Sequence, residues 1–393
     1  MSSYFNEVGE GMFDPCIGFK LPIQINKYDD YDKKIFEELD RYVHTVAEKS
    51  KESTEVNLKK INEVVNHIKK AIQCERNCNT EEAKAHIKTI IDTYSSDPFF
   101  VCELDHNFAF RATAASKDLQ REGINLKAQE SIPLSFFRMR SGHHKVQKDL
   151  QYIPKSRISL CSSTRYSLPG FPCLYLATSS YCAWMETGKP AEVSISGYRP
   201  TDYGKKLKIL NLVNTSRLQT GFYNSGYDIN KCNKERNRNI YTSAITLFPL
   251  VMAASVTVKN PSDNVGYHPE YTISHLIMQC LKSCKIDGVA YLSARVDDDV
   301  AFPLCVNLAL PAFDDNRLCQ SFKMTQPYVP FDWFNKGTVL DECTDSKSYT
   351  NSCFNDYAHI LYNCICIRYD TTIFSMLDNY LEEKPHYPME CCN

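Results

Sequence analysis

Between Tyr31 and Tyr94 the apolar positions step by three and four. Ile35, Leu39, Tyr42, Val43 and Val46 fall on one face, Leu58, Ile61, Val65, Ile68 and Ile72 on a second, and Ala83, Ile87, Ile90, Ile91 and Tyr94 on a third. That period predicts three amphipathic helices, the last opened by Asn79 and Glu82 at capping-box spacing. Residues 1–30 show no clear period and read as a cap or an ordered arm. Asp97-Pro98 stops the helices, 99–103 reads as a strand or the start of a linker, and 107–130 is polar and helix-compatible.

Beyond that point the pattern changes to short apolar runs. Strands are predicted at 136–140, 173–177, 208–213, 245–257, 289–294 and 305–310, with helices at 270–284 and 374–381. The run 173–177 is entered through Pro169-Gly170-Phe171-Pro172 and left at Thr178-Ser179-Ser180, whose hydroxyls suit the N-cap of a short helix ending at Thr187-Gly188. Strand-rich runs with occasional helices and no regular βαβ repeat predict an α+β fold, and the glycine fingerprint of a Rossmann unit is absent. At 393 residues the chain suits two domains. The division expected is 1–125, a helical module and linker, and 126–393, a catalytic domain.

Composition narrows the function classes. A hydrophobic content of 43% is that of a globular protein, and a formal charge of −2 gives no electrostatic reason to expect nucleic acid as a partner. Residues 1–16 lack the basic start and apolar core of a signal peptide. The apolar stretch from Ala244 to Val258 is too short to span a bilayer and contains Thr246, Pro249 and Ser255; it is expected as a buried strand pair. A cytoplasmic protein without membrane contact is the expectation. The 18 cysteines are scattered, mostly in apolar contexts, and read as small buried thiols. Cys74-x3-Cys78, Cys280-x3-Cys284, Cys364-x-Cys366 and Cys391-Cys392 lack the spacing of a structural zinc site, so no metal is expected.

Candidate chemistry concentrates in 165–186, where Arg165, Tyr175 and Glu186 surround the predicted strand-to-helix turn. A cation, an aromatic face and a carboxylate suit a ligand that is anionic, flat and cationic in different places, as a nicotinamide dinucleotide is. Two further segments join them: 135–140 with Arg138 and Arg140, and 287–293, where Asp287-Gly288 leads into a strand carrying Ser293. Arg, then Arg-x9-Tyr-x10-Glu, then Asp-Gly-x-x-Tyr-x-Ser resembles the RES family over about residues 131–311, with a weaker continuation at 369–374. That family consists mostly of bacterial toxins that consume NAD.

The resemblance implies an ADP-ribosyltransferase-like catalytic domain of two sheets, here preceded by a small helical module. It implies Glu186, Arg165, Tyr175 and Ser293 as catalytic residues and Arg138, Arg165, Tyr166, Tyr175 and Ser293 as NAD-binding residues, with NAD a substrate and no other cofactor. Arg140 is the alternative to Arg138, and Tyr166 to Tyr175. His143 and His144 read as loop residues. The function implied is cleavage of the nicotinamide–ribose bond by water or phosphate, depleting cellular NAD; mono-ADP-ribosylation of a protein and a non-enzymatic scaffold are the alternatives. Two departures stand out. Ser163-Thr164-Arg165-Tyr166-Ser167 replaces the usual Gly-Gly-Arg-Trp-Asn, which stiffens the loop and leaves the acceptor open. The N-terminal helices are also extra. Short relatives are held by a separately encoded antitoxin, whereas a built-in module could regulate the enzyme or assemble a homo-oligomer, as in phage-defence proteins that deplete NAD.

Overall fold

The computed structural model describes residues 19, 21–49, 57–107, 109–110, 134–213, 234–259, 267–296, 304–330, 359–362 and 365–391. In chain order the elements begin with β1 (Ile23–Asn26), α1 (Tyr31–Lys49), α2 (Leu58–Arg76), α3 (Thr80–Tyr94), β2 (Val101–Glu103) and β3 (Phe136–Ser141). Next come β4 (Cys173–Ala177), α4 (Ser180–Glu186), β5 (Val193–Pro200), β6 (Lys208–Asn211), α5 (Lys234–Ala254), β7 (Val256–Lys259) and α6 (Thr272–Leu281). The chain continues with β8 (Gly288–Leu292), β9 (Val306–Pro311), α7 (Asp315–Ser321), β10 (Phe322–Met324), β11 (His359–Tyr362), β12 (Ile365–Arg368), α8 (Ile373–Glu383) and β13 (Tyr387–Pro388). The protein is therefore mixed α and β. Among the described residues no helix is long and apolar enough to cross a membrane.

Two compact units emerge, one from 1–101 with 214–284, the other from 102–213 with 285–393. This differs from the division at 125/126 that the sequence suggests: of 214–284, the helices at 234–254 and 272–281 pack with the N-terminal helices. The cause is burial. α2 packs against α3, α5 and α6, and α3 against α6, so the stripes Ile61, Val65, Ile68, Ile72 and Ile87, Ile90, Ile91 are covered from both chain segments. Three short helices alone enclose too little apolar surface for that. Most of the polar segment 107–130 and of the arm 1–30 lies outside the described residues.

The first unit corrects one expectation. Residues 245–257 form no strand pair; 245–254 are the second half of α5, and only β7 follows, paired in parallel with β1. Its side chains from Ala244 to Ala254 are almost all buried, and a helix buried all round carries no periodicity to distinguish it from a strand. Pro249 sits inside this helix, where its missing N–H leaves the carbonyl four residues earlier without a helical partner. That carbonyl is Ile245 O, and the Tyr42 hydroxyl donates to it at 2.8 Å. The same tyrosine packs its ring against Phe19 and Phe248, with centroids 5.3 and 5.2 Å away. The Asn79 side chain accepts from Glu82 N, so the N-cap expected for α3 is present.

The second unit is built on a nine-stranded sheet in the order β13-β10-β5-β3-β4-β9-β8-β6-β2. The central pairs are antiparallel: Ala177 lies opposite Asn307, and Asn307 opposite Tyr291. β6 and β8 run parallel, which needs a crossover connection. β11 and β12 form a separate antiparallel pair. The strands expected at 136–140, 173–177, 208–213, 289–294 and 305–310 are all present within two residues at either end. α4 and α8 cover one face, where Tyr181, Trp184, Phe374, Leu377 and Leu381 pack on Phe137, Met139 and Ile195.

Candidate functional site

α4 is short and firmly anchored. Ser179 is its N-cap, with an extended backbone, and its Oγ accepts from Cys182 N at 3.0 Å. Ser180 N donates to the buried carboxylate of Asp378 at 2.9 Å, and the other oxygen of Asp378 accepts from the Tyr369 hydroxyl at 2.7 Å. Burial pushes that phenol well above its usual pKa, and the neighbouring Asp378 charge adds to the effect, so it stays a donor. Thr178 binds Val306 O on the adjacent strand through both N and Oγ1. Gly188 then takes φ +84° and ends the helix, with Lys189 N returning to Trp184 O. Glu186 is thereby held at the last turn of a helix fixed at both ends.

Its carboxylate meets two donors on one oxygen. Oε1 accepts from Ser293 Oγ at 2.7 Å and from Asn307 Nδ2 at 2.7 Å. The surroundings enforce both directions. Ser293 Oγ accepts from Arg295 N at 3.2 Å, which turns its hydrogen toward Glu186. Asn307 Oδ1 accepts from Cys182 Sγ at 3.4 Å, which turns its amide nitrogen toward Glu186. Cys182 can donate because burial, aided by the Glu186 charge, pushes its thiol well above the usual pKa. Ser293 and Asn307 are each 3% exposed, whereas the Glu186 side chain is 31% exposed, with Oε2 3.6 Å from Arg295 Nε. One oxygen is locked and the group remains reachable.

One tyrosine neighbours this carboxylate, and two more lie beside that tyrosine. Tyr291, opposite Asn307 in the sheet, has its phenol pushed well up by burial and then by the charge of Glu186, with Tyr175 and Tyr166 contributing. Its ring packs on Tyr166, centroids 4.2 Å apart. Tyr166 and Arg165 are the middle residues of a tight turn closed by backbone bonds in both directions between Thr164 and Ser167. Thr164 Oγ1 lies 2.6 Å from the Tyr175 hydroxyl. Tyr166 is 1% exposed, so its role here is packing against Tyr291; Tyr175 keeps partial exposure. Of the two tyrosines, Tyr175 is the one a ligand reaches without repacking.

The arginines also separate. Arg138 donates from Nη1 to Tyr175 O at 3.0 Å, whereas Arg140 donates from Nη2 to Gln151 O at 3.0 Å, at the end of the short 3-10 helix Gln147–Leu150. Among the described residues Arg138 has no carboxylate within ion-pair distance, and its Nε is buried without a partner. Burial and then the neighbouring Arg140 charge lower its pKa to about 10. A half-buried cation without a counter-charge, its Nε unpaired, favours an incoming anion. His144 donates from its backbone N to Ser194 Oγ at 2.7 Å and from Nε2 to Ser141 O at 3.0 Å, and His143 faces Glu192 at 3.6 Å, as loop residues do.

Glu186 and Ser293 are thus in direct contact, Tyr175 meets Arg138, and Arg165 and Tyr166 share the turn beside Tyr175. Sequence reasoning missed Asn307 and gave no role to Thr164 or to Tyr291, the tyrosine of the Asp-Gly-x-x-Tyr-x-Ser segment. Asn307 sits among buried apolar residues of β9, and a polar residue interrupting such a run is a signal that could have found it.

The comparisons with known proteins are sparse. The chain is 29% identical over 191 residues to a Bacillus subtilis (strain 168) protein named "Putative toxin YopC", covering 46% of this chain and 41% of that one. The chain thus matches well under half the length of this relative. No family model matches the chain, and no solved structure does.

Proposed function

We propose that the chain is a toxin or defence enzyme that consumes NAD by splitting its nicotinamide–ribose bond. Nicotinamide already leaves as a neutral ring from a cationic one, so the bond needs no general acid. The protein has to stabilise an oxocarbenium-like ribose, hold the departing ring and grip the pyrophosphate. Glu186 sits opposite the developing positive charge, with its locked Oε1 directing the carboxylate and Oε2 toward the ligand. Tyr175 offers the ring face, and Arg138 and Arg165 the cations, whose planar forks match phosphate oxygens. No cofactor beyond NAD itself is required.

The observation that carries the reading is the Glu186 carboxylate, partly exposed yet bonded to two donors whose directions are set from behind. A surface glutamate has no need of such a frame. The name of the Bacillus subtilis relative supports the toxin part of the reading and an antitoxin as partner. Purified protein incubated with NAD decides by product. Free nicotinamide with ADP-ribose, or with its phosphorylated form when phosphate is supplied, supports the proposal. Nicotinamide with a labelled protein indicates a mono-ADP-ribosyltransferase. No product in a folded preparation indicates a non-enzymatic scaffold and removes the proposal.

A further inference from the structure

A second group of reactive side chains lies far from Glu186 in sequence, on the hairpin of α2 and α3. Cys74 is in the last turn of α2, Glu82 in the first turn of α3, and His86 one turn further along α3. One donor atom from each lies within 4.8 Å of the others. His67, two turns before Cys74 on α2, meets the His86 ring, Nδ1 to Nδ1, at 3.0 Å. Cys74, His67 and His86 are partly buried and Glu82 is exposed.

We propose that Cys74, Glu82 and His86 form a binding site for a borderline-soft divalent cation, zinc above all, that clips α2 to α3. A thiolate, an imidazole and a carboxylate are a zinc donor set, which water completes to four. The helix geometry explains the grouping. Glu82 and His86 are four apart and share a face of α3, and the tight Asn77–Asn79 connection brings the end of α2 alongside. Cys78, which sequence spacing pairs with Cys74, is exposed and takes no part.

His67 has a separate role. Two facing Nδ1 atoms at 3.0 Å share one hydrogen, so if His86 donates, its Nε2 lone pair is left for a cation. Metal-binding histidines commonly have their tautomer fixed in this way by a neighbour. Around that pair, Lys70 and Glu63 also face His67, with opposite effects on its charge. Binding would replace the Cys74 thiol proton with the cation and release that proton to solvent, leaving both imidazoles neutral. The ligands come from two helices, so the cation ties the end of α2 to the first two turns of α3 beside the Asn77–Asn79 connection. At a hundredfold excess over its dissociation constant it should raise the thermal midpoint of this unit by roughly 5–10 °C.

The test uses the full chain, stripped of metal and titrated with Zn(II) by equilibrium dialysis and with Co(II) by absorption. The expected result is one equivalent bound per chain, with a tetrahedral cobalt spectrum that includes a thiolate charge-transfer band. Cys74→Ser and His86→Ala should abolish that band, and His67→Ala should weaken binding by about 10–100-fold. No stoichiometric binding overturns the proposal. So does binding with an unchanged spectrum in folded Cys74→Ser or His86→Ala, since the cation then lies on other cysteines. Should those variants fail to fold, Glu82→Gln on its exposed side chain carries the test, and unaltered affinity in it overturns the assignment. None of these readouts depends on NAD turnover.

Discussion

Replacing Glu186 with glutamine isolates the charge on which the proposed chemistry depends. The amide has the shape of the carboxylate. Its oxygen can keep both bonds to Oε1, from Ser293 Oγ and Asn307 Nδ2, each 2.7 Å long in the parent. Its nitrogen takes the place of Oε2, which faces solvent and the exposed Arg295 at 3.6 Å. No buried donor is stranded, so stability should change by less than about 1 kcal/mol. What disappears is one unit of negative charge beside the ribosyl cation. A preorganised electrostatic contact of this kind is worth roughly 3–4 kcal/mol, or about 10²–10³ in rate. Because the interaction forms in the transition state, kcat and kcat/KM should fall together. Nicotinamide release under single-turnover conditions, with a thermal melt alongside, measures both quantities. A folded Glu186→Gln protein turning over within about fivefold of the parent would refute the reasoning.

Ser293→Ala and Asn307→Ala each remove one charge-assisted donor worth about 1.5–3 kcal/mol, so each should slow nicotinamide release roughly 10–100-fold. The two share one acceptor atom, and the double variant should lose less than the product of the single losses in the same assay. Arg165→Ala should relieve growth arrest and restore cellular NAD on induced expression; persistent arrest at normal NAD levels would assign the toxicity elsewhere. A truncation beginning near Phe99 removes β1 and α1–α3 but leaves 214–284, stripping the buried residues of α5 and α6 of their partners. It should yield insoluble protein by sedimentation, whereas removal of 214–284 together with the N-terminus is the deletion expected to leave the second unit folded.

What the sequence revealed follows from the range of the forces involved. Elements specified locally were legible. The stripe at 58–72 reads directly as α2, and Pro169-Gly170 and Thr178-Ser179-Ser180 bracket β4 at its observed ends, Cys173 and Ala177. α5 was not legible because its apolar run is continuous, and the cue that it is helical lies far away, in the Tyr42 hydroxyl that satisfies the carbonyl freed by Pro249. β5 was missed for the opposite reason. Val193-Ser194-Ile195-Ser196 alternates for only four residues before Gly197, and Gly197 and Pro200 weaken the strand signal.

The candidate site divides along the same line. Glu186, Tyr175 and Arg165 lie within one stretch of 22 residues, 165–186, and could be proposed from that spacing together with the family resemblance. Asn307 could not, since its tie to Glu186 depends on β4 and β9 pairing so that Ala177 meets Asn307 across the sheet. That register places Asn307 under α4, where its amide reaches Cys182 on one turn and Glu186 on the next. A slip of one residue would turn Asn307 to the other face and replace it with Val306 or Leu308, leaving the Glu186 carboxylate with Ser293 alone. The frame around Glu186 is therefore a product of sheet register and of the Asp378 anchor on Ser180. Neither can be read from the neighbours of Glu186 in the chain.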